Sequence, residues 1–252
     1  MKQVLILLLL TIMPGLLSAQ VNQVDAQGRK QGPWEKVYPG TRVYEYRGQF
    51  KDDKPVGKFS YFYKSSKVKA IIKHDDTSDR AEAFFYHENG VIMSHGIYRN
   101  MKKDSIWTDY NKQGRLISKS TWYQDLLHGQ KAVFYVMEDP NDKSRIISTL
   151  MTYKMGYLHG EYKEYFNDNT LKLTGAYADH KKDGVWTMYQ PNGKKQSVYR
   201  WKKGVKHGWA HVYDKQGHEI VKNYYYYGRV LEGEQLKRKL QQMKELGINP
   251  NE

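Results

Sequence analysis

The feature that most constrains this chain is a repeat. A small residue, an aromatic two positions on, a second aromatic three further, a Gly/Asn turn and a polar-aromatic run recur, with substitutions, from eight starting points. These are Gly32, Gly57, Ala81, Ser105, Gly129, Gly160, Gly184 and Gly208, and Gly233 closes the array. Successive copies start 24 or 25 residues apart, apart from one interval of 31 after Gly129. The clearest copy runs from Asp183 through Trp186, Tyr189, Asn192-Gly193, Tyr199 and Trp201 to His207-Gly208. A period of this length means one supersecondary unit stacked many times, and it outranks local signals. The 252 residues are therefore expected to form one quasi-linear array.

Each copy fits two antiparallel strands. If Asn192-Gly193 is a two-residue turn, Trp186 lies opposite Tyr199 and Gly184 opposite Trp201. Asn89-Gly90 carries the same signal, because both residue types tolerate the positive φ of a type I′ turn. Aromatics 17 residues after the start (Tyr98, Trp122, Tyr153, Tyr177, Trp201, Tyr225) are then expected to lie over the small residue facing them. Those five residues after it (Phe62, Tyr86, Tyr110, Phe134, Tyr165, Tyr189, Tyr213) have the opposite parity and point to the other face. The expected fold is all-β: an elongated, single-layer antiparallel β-meander of about eight hairpin repeats and about sixteen strands, with a short C-terminal α-helix. With 39% hydrophobic residues and 22 Tyr, the chain suits a thin sheet with amphipathic rings on wet surfaces.

The ends differ from the array. Residues 1–19 pair Lys2 with an apolar run from Val4, a Pro14-Gly15 break and a small-residue site at Ala19, the form of a cleaved signal peptide. Residues 20–30 are polar and expected as a flexible lead-in, and 31–232 hold the repeats. At 233–247 the period changes: Leu236, Leu240 and Met243 mark an amphipathic helix expected to cover the last strand edge. The surplus of the long copy, Met137 to Lys143, falls where a hairpin tip belongs, and a loop there leaves the ladder intact. The chain has no Cys, hence no disulfide or thiolate ligand.

The formal charge of +14 could suit nucleic acid. Export makes nucleic acid an unexpected partner and leaves an acidic protein or an anionic envelope surface. His128, His159 and His207 sit at repeat junctions; His159 and His207 are too far apart for a common metal, His128 and His159 are one repeat apart and within side-chain reach, and a turn-forming role is expected of all three. Without a nucleophile elbow, dinucleotide fingerprint or P-loop, no catalytic residue, metal or cofactor is expected.

The Gly-x-Trp-x-x-Tyr pattern, its Gly turn, aromatic second strand and closing His/Asp-Gly resemble the bacterial variant of the MORN repeat over residues 31–232. Members are often labelled YwqK-type antitoxins of toxin–antitoxin systems. The resemblance implies a single-layer sheet used as a binding surface. The expected function is an exported, non-enzymatic interaction scaffold, periplasmic or secreted, that binds another envelope or secreted protein. Alternatives are a binder of anionic lipid or glycan at the envelope surface, and an antitoxin or immunity protein. Candidate binding residues are Tyr86, Tyr110, Tyr165, Trp186, Tyr189, Trp201 and Tyr213, with Lys181, Lys182, Lys202 and Lys203 along the junction edge.

Overall fold

The computed structural model describes residues 20–137, 139 and 145–251. The expected leader lies outside the described residues. The first half of the sheet contains β1 (Gln23–Val24), β2 (Lys30–Val37), β3 (Tyr44–Lys51), β4 (Lys54–Phe62), β5 (Val68–His74), β6 (Arg80–Tyr86), β7 (Ile92–Arg99), β8 (Lys102–Tyr110), β9 (Leu116–Tyr123) and β10 (Leu126–Phe134). The second half contains β11 (Ile147–Lys154), β12 (Tyr157–Tyr165), β13 (Leu171–Ala178), β14 (Lys181–Tyr189), β15 (Lys195–Lys202), β16 (Val205–Lys206), β17 (Gly208–Tyr213), β18 (Glu219–Tyr226) and β19 (Arg229–Leu231). Helix α1 (Gly233–Glu245) follows.

Strands pair antiparallel with their chain neighbours, except that β16 and β17, interrupted at His207, both pair with β15, so the described residues form one open meander. The short β1 pairs with β2, which gives part of the expected lead-in a structure: Asp25 also accepts the backbone N–H groups of Gln27 and Arg29.

The expected register holds, but the expected turn does not. Gly184 faces Trp201 and Trp186 faces Tyr199. The tip, however, is a three-residue loop, Pro191-Asn192-Gly193, closed by Gln190 N–H to Lys194 O, with Gly193 at φ +79°. A bulge follows, where Met188 pairs Ser197 while Tyr189 pairs Lys195. The extra residue, Gln196, restores the register that a two-residue turn would have set. Asn89-Gly90 closes the same way, with only Gly90 at positive φ. This is a type I turn followed by a left-handed residue and a bulge, which Asn-Gly also suits.

The two-residue type I′ turns are on the opposite edge, between copies. Both residues have positive φ at Asp52-Asp53, Asn100-Met101, Gln124-Asp125, Met155-Gly156, Asp179-His180, Lys203-Gly204 and Tyr227-Gly228. One junction differs: Asp75 to Asp79 form a longer loop in which Asp75 accepts Thr77 N–H and Oγ1–H.

The ladder of the long copy is intact on either side of its surplus. Phe134 pairs with Ile147, and Tyr135 N–H donates to Ile146 O, so the ladder closes above it. Residues 138 and 140–144 of that segment lie outside the described residues.

Helix α1 was expected to cover the final strand edge, and it packs instead on a face of the last hairpin. Tyr224, fully buried, places its hydroxyl 3.3 Å from Met243 Sδ and donates to Pro250 O at 3.0 Å. Lys239 lies over the Tyr226 ring. The cause is local: Tyr224 and Trp209 pair on that face and offer the helix more apolar area than an edge would.

Candidate functional site

Parity divides the sheet into two faces, and most of the large core rings lie on one of them, Tyr224 under helix α1 being on the other. This tryptophan face carries Phe59, Ile72, Ala81, Ala83 and Trp107 as one buried cluster, rimmed by Tyr46, Phe50, Tyr61, Phe85, Tyr98 and Trp122. Trp107 is only 1% exposed and Trp186 only 3%, although no second layer covers them. Side chains of neighbouring strands do the covering.

Glycine explains how. A Cβ on Gly175 would come within 2.2 Å of Trp186 Cδ2, one on Gly96 within 2.3 Å of Trp107 Cδ2, and one on Gly48 within 2.3 Å of Phe59 Cδ1. Each ring therefore lies flat on bare backbone of the preceding copy. The indole N–H groups of Trp186 and Trp107 then reach the Ala176 and Ile97 carbonyls, both at 3.0 Å. Where the ring is replaced by Ala83, the facing residue is Ile72 rather than glycine, so the volume of the pair is kept.

This corrects the expected placement of Trp201 over Gly184. Nothing lies within 4 Å of where a Gly184 Cβ would be. Gly184 is instead a bulge residue at φ +73°: β13 and β14 shift register between Thr174↔Thr187 and Ala176↔Asp183. A small residue is needed there for its backbone and not for a ring above it.

Lysines interleave with the rings. Lys30 caps Trp34 and Phe50, Lys103 caps Trp107 and Trp122, and Lys182 caps Trp186 at 4.2 Å and Trp201 at 5.0 Å. Lys206 lies 4.0 Å from the Tyr199 centroid, 4.9 Å from Tyr225 and 6.0 Å from Trp201. Contacts of this kind are attractive because the ring faces are negative. Burial lowers the Lys182 pKa from its ordinary value, with nearby Lys206 adding to the effect and Glu164 opposing it. Glu164 accepts the Tyr162 hydroxyl at 2.7 Å; burial first, then that bond, pushes the Tyr162 pKa up.

The candidate binding residues separate accordingly. Trp186, Trp201 and Lys182 come together on the tryptophan face, Trp186 as core and Trp201 as a half-buried rim. Tyr86, Tyr110, Tyr165, Tyr189 and Tyr213 are half-buried on the other face, beside the hairpin tips. There the copies are tied by side chains one position on: Tyr63 donates to Tyr86 O and Tyr135 to Tyr165 O, both at 2.7 Å, and His87 Nε2 meets Tyr110 O at 3.0 Å. Lys181 and Lys203 are exposed on the junction edge, and Lys202 ends β15 beside them. Lys206, Tyr199 and Tyr225 belong to the ring cluster and were not among the candidate binding residues. Two signals could have found the arrangement: a glycine eleven residues before a large ring, and a lysine two residues before a copy begins.

The junction histidines are structural. His128 Nδ1 accepts Met155 N–H and His207 Nδ1 accepts Tyr227 N–H, both at 3.3 Å, while His159 faces Asp179. On the tryptophan face near the N-terminal end, Tyr61, Ala70, Ile72, Phe85, Tyr98 and Met101 line a hollow of about 360 Å³ with Glu45 and Lys69 at its margin.

The class is thus a β-hairpin repeat protein in which three copies interlock with the preceding one ring on glycine. The MORN repeat variant family matches residues 81–100 and 182–203, the third and seventh copies, and the flanking copies repeat the same hairpin. No curated protein matches the chain.

Proposed function

We propose that this protein is an exported, non-enzymatic scaffold that binds a protein of the cell envelope through its tryptophan face. One observation carries this: rings and lysines alternate along a face that no other element of the described residues covers. Tyr and Trp bury large areas at low rotamer cost and keep a polar tip, which suits protein recognition. The leader-like residues 1–19 support export.

The test is capture from an envelope fraction at low and high salt, with Trp201→Ala beside the wild type. Trp201 is rim and not core, so the variant should fold, at a cost of about 1 to 2 kcal/mol. A protein retained by the wild type at both salt concentrations and reduced about tenfold on the variant is expected. Capture that ignores Trp201, or captured material that is protease-resistant and shed by salt, would overturn the proposal in favour of a lipid or glycan ligand.

A further inference from the structure

Charge is not spread evenly over the array. Residues 181–231, the last two copies, hold eleven Lys and Arg against three Asp and Glu, a net +8 of the chain's +14. The carboxylates there are already engaged: Asp183 accepts Lys203 N–H, Asp214 faces His218, and Glu219 faces His211 at 2.6 Å. Lys182 and Lys206 have no carboxylate in ion-pair contact among the described residues.

Register brings these two lysines to one ring. Lys206 pairs directly with Trp201 from β16, and Lys182 reaches the same indole from β14 on its other side. Among the described residues, no other ring at this position of the repeat has a lysine on both flanks. Trp122 has Lys103 on one side but Leu127 opposite it on the other, and Phe50 has Lys30 and Pro55. Tyr177 pairs with Lys182, but two residues before its glycine partner Gly160 stands Leu158, where the Trp201 copy has Lys182 two residues before Gly184. Two cations thus share one half-buried ring; Glu164 offsets the charge of Lys182 in part, but no carboxylate of the described residues pairs with either lysine, an arrangement that favours an incoming anion.

We propose that Lys182, Trp201 and Lys206 form a clamp for a carboxylate side chain on an acidic segment of the protein partner. This rests on the scaffold function above and adds the chemistry of the partner. The carboxylate would lie between the two ammonium groups, with its methylene stem on the indole, and the other basic residues of the last two copies would attract the flanking acidic residues.

The experiment uses the purified chain without residues 1–19 and a fluorescein-labelled peptide of alternating Glu and Gly, read by anisotropy. Binding that weakens at least tenfold in Lys182→Ala with Lys206→Ala is expected. It should change less than about threefold in Lys195→Ala with Lys215→Ala, which removes the same charge at the hairpin tips. Lys182→Arg with Lys206→Arg should bind nearly as the wild type. Should the alanine pair fail to fold, Lys182→Gln with Lys206→Gln keeps the stems over the rings and removes the charge. Equal loss in the central and the tip pairs would overturn the clamp in favour of diffuse attraction, and no loss in the central pair would overturn it outright. Phosphatidylserine vesicles that displace the peptide, and whose own binding needs Lys182 and Lys206, would overturn the acidic segment in favour of a headgroup. Envelope capture that depends on Trp201 but not on these lysines would leave the scaffold standing and sink the clamp alone.

Discussion

At Gly175 the chain leaves room for a ring and for nothing else: a Cβ there would come within 2.2 Å of Trp186 Cδ2. Gly175→Ala should therefore cost about 1 to 3 kcal/mol, the usual range for overpacking, and lower the melting temperature by several degrees. Trp186→Ala should cost about 3 to 5 kcal/mol, since it strips a ring that is almost wholly buried. The array already contains the swapped solution, Ile72 facing Ala83 with both buried. Gly175→Ile combined with Trp186→Ala should consequently be more stable than the sum of the single losses by about 1 kcal/mol or more. A double-mutant cycle by chemical denaturation measures it, and strict additivity would show that ring and glycine do not act as a pair.

At the scale of the element, the last hairpin carries a pH-dependent joint. His207 is buried against Tyr226 and Tyr227, and its Nδ1 accepts the Tyr227 N–H. Burial first, then the charges of Lys202 and Lys239, hold its pKa below the ordinary 6.5. A base with a depressed folded-state pKa takes up a proton on unfolding. Stability is thus full above the unfolded value and falls as pH drops through it toward the folded one. His74, lowered by burial alone, acts in the same direction. The melting temperature should be lower at pH 5 than at pH 7.5, and the difference should shrink in His207→Gln; an unchanged difference would exclude His207 as the joint. Elements of this kind were only partly legible beforehand. Period and parity are carried by side-chain identity, so the meander, the pairing of Trp186 with Tyr199 and the two faces could be read directly. The turn type could not, because Asn-Gly satisfies both a two-residue turn and the last two places of a three-residue loop. The clamp was half legible. Lys182 and Trp201 were marked by residue type, but Lys206 joins them only through the two-residue turn at Lys203-Gly204, which sets it opposite Trp201.

Over the whole molecule, close backbone contacts run between strands adjacent in the chain, so each copy is stabilised by its neighbours and by little else. The ring contacts are not continuous along this line. One cluster spans Phe59 to Trp107 with Trp122 at its rim, and a second gathers Tyr162, Tyr177 and Trp186. Between them lies the long copy, where Lys131 faces Ser120 at the position that Trp107 and Trp186 fill elsewhere. A seam without a ring transmits less packing energy, so the two clusters should open separately and not in one all-or-none step. Trp107→Ala, which uncovers Gly96 and costs about 3 to 5 kcal/mol locally, should abolish amide protection in β6 to β9 and leave β13 to β15 exchanging as in the wild type. Hydrogen exchange followed by mass spectrometry resolves the two regions. An even loss of protection from β2 to β18 would mean that the long copy couples the halves as tightly as the rings couple their neighbours, and that the array unfolds as one unit.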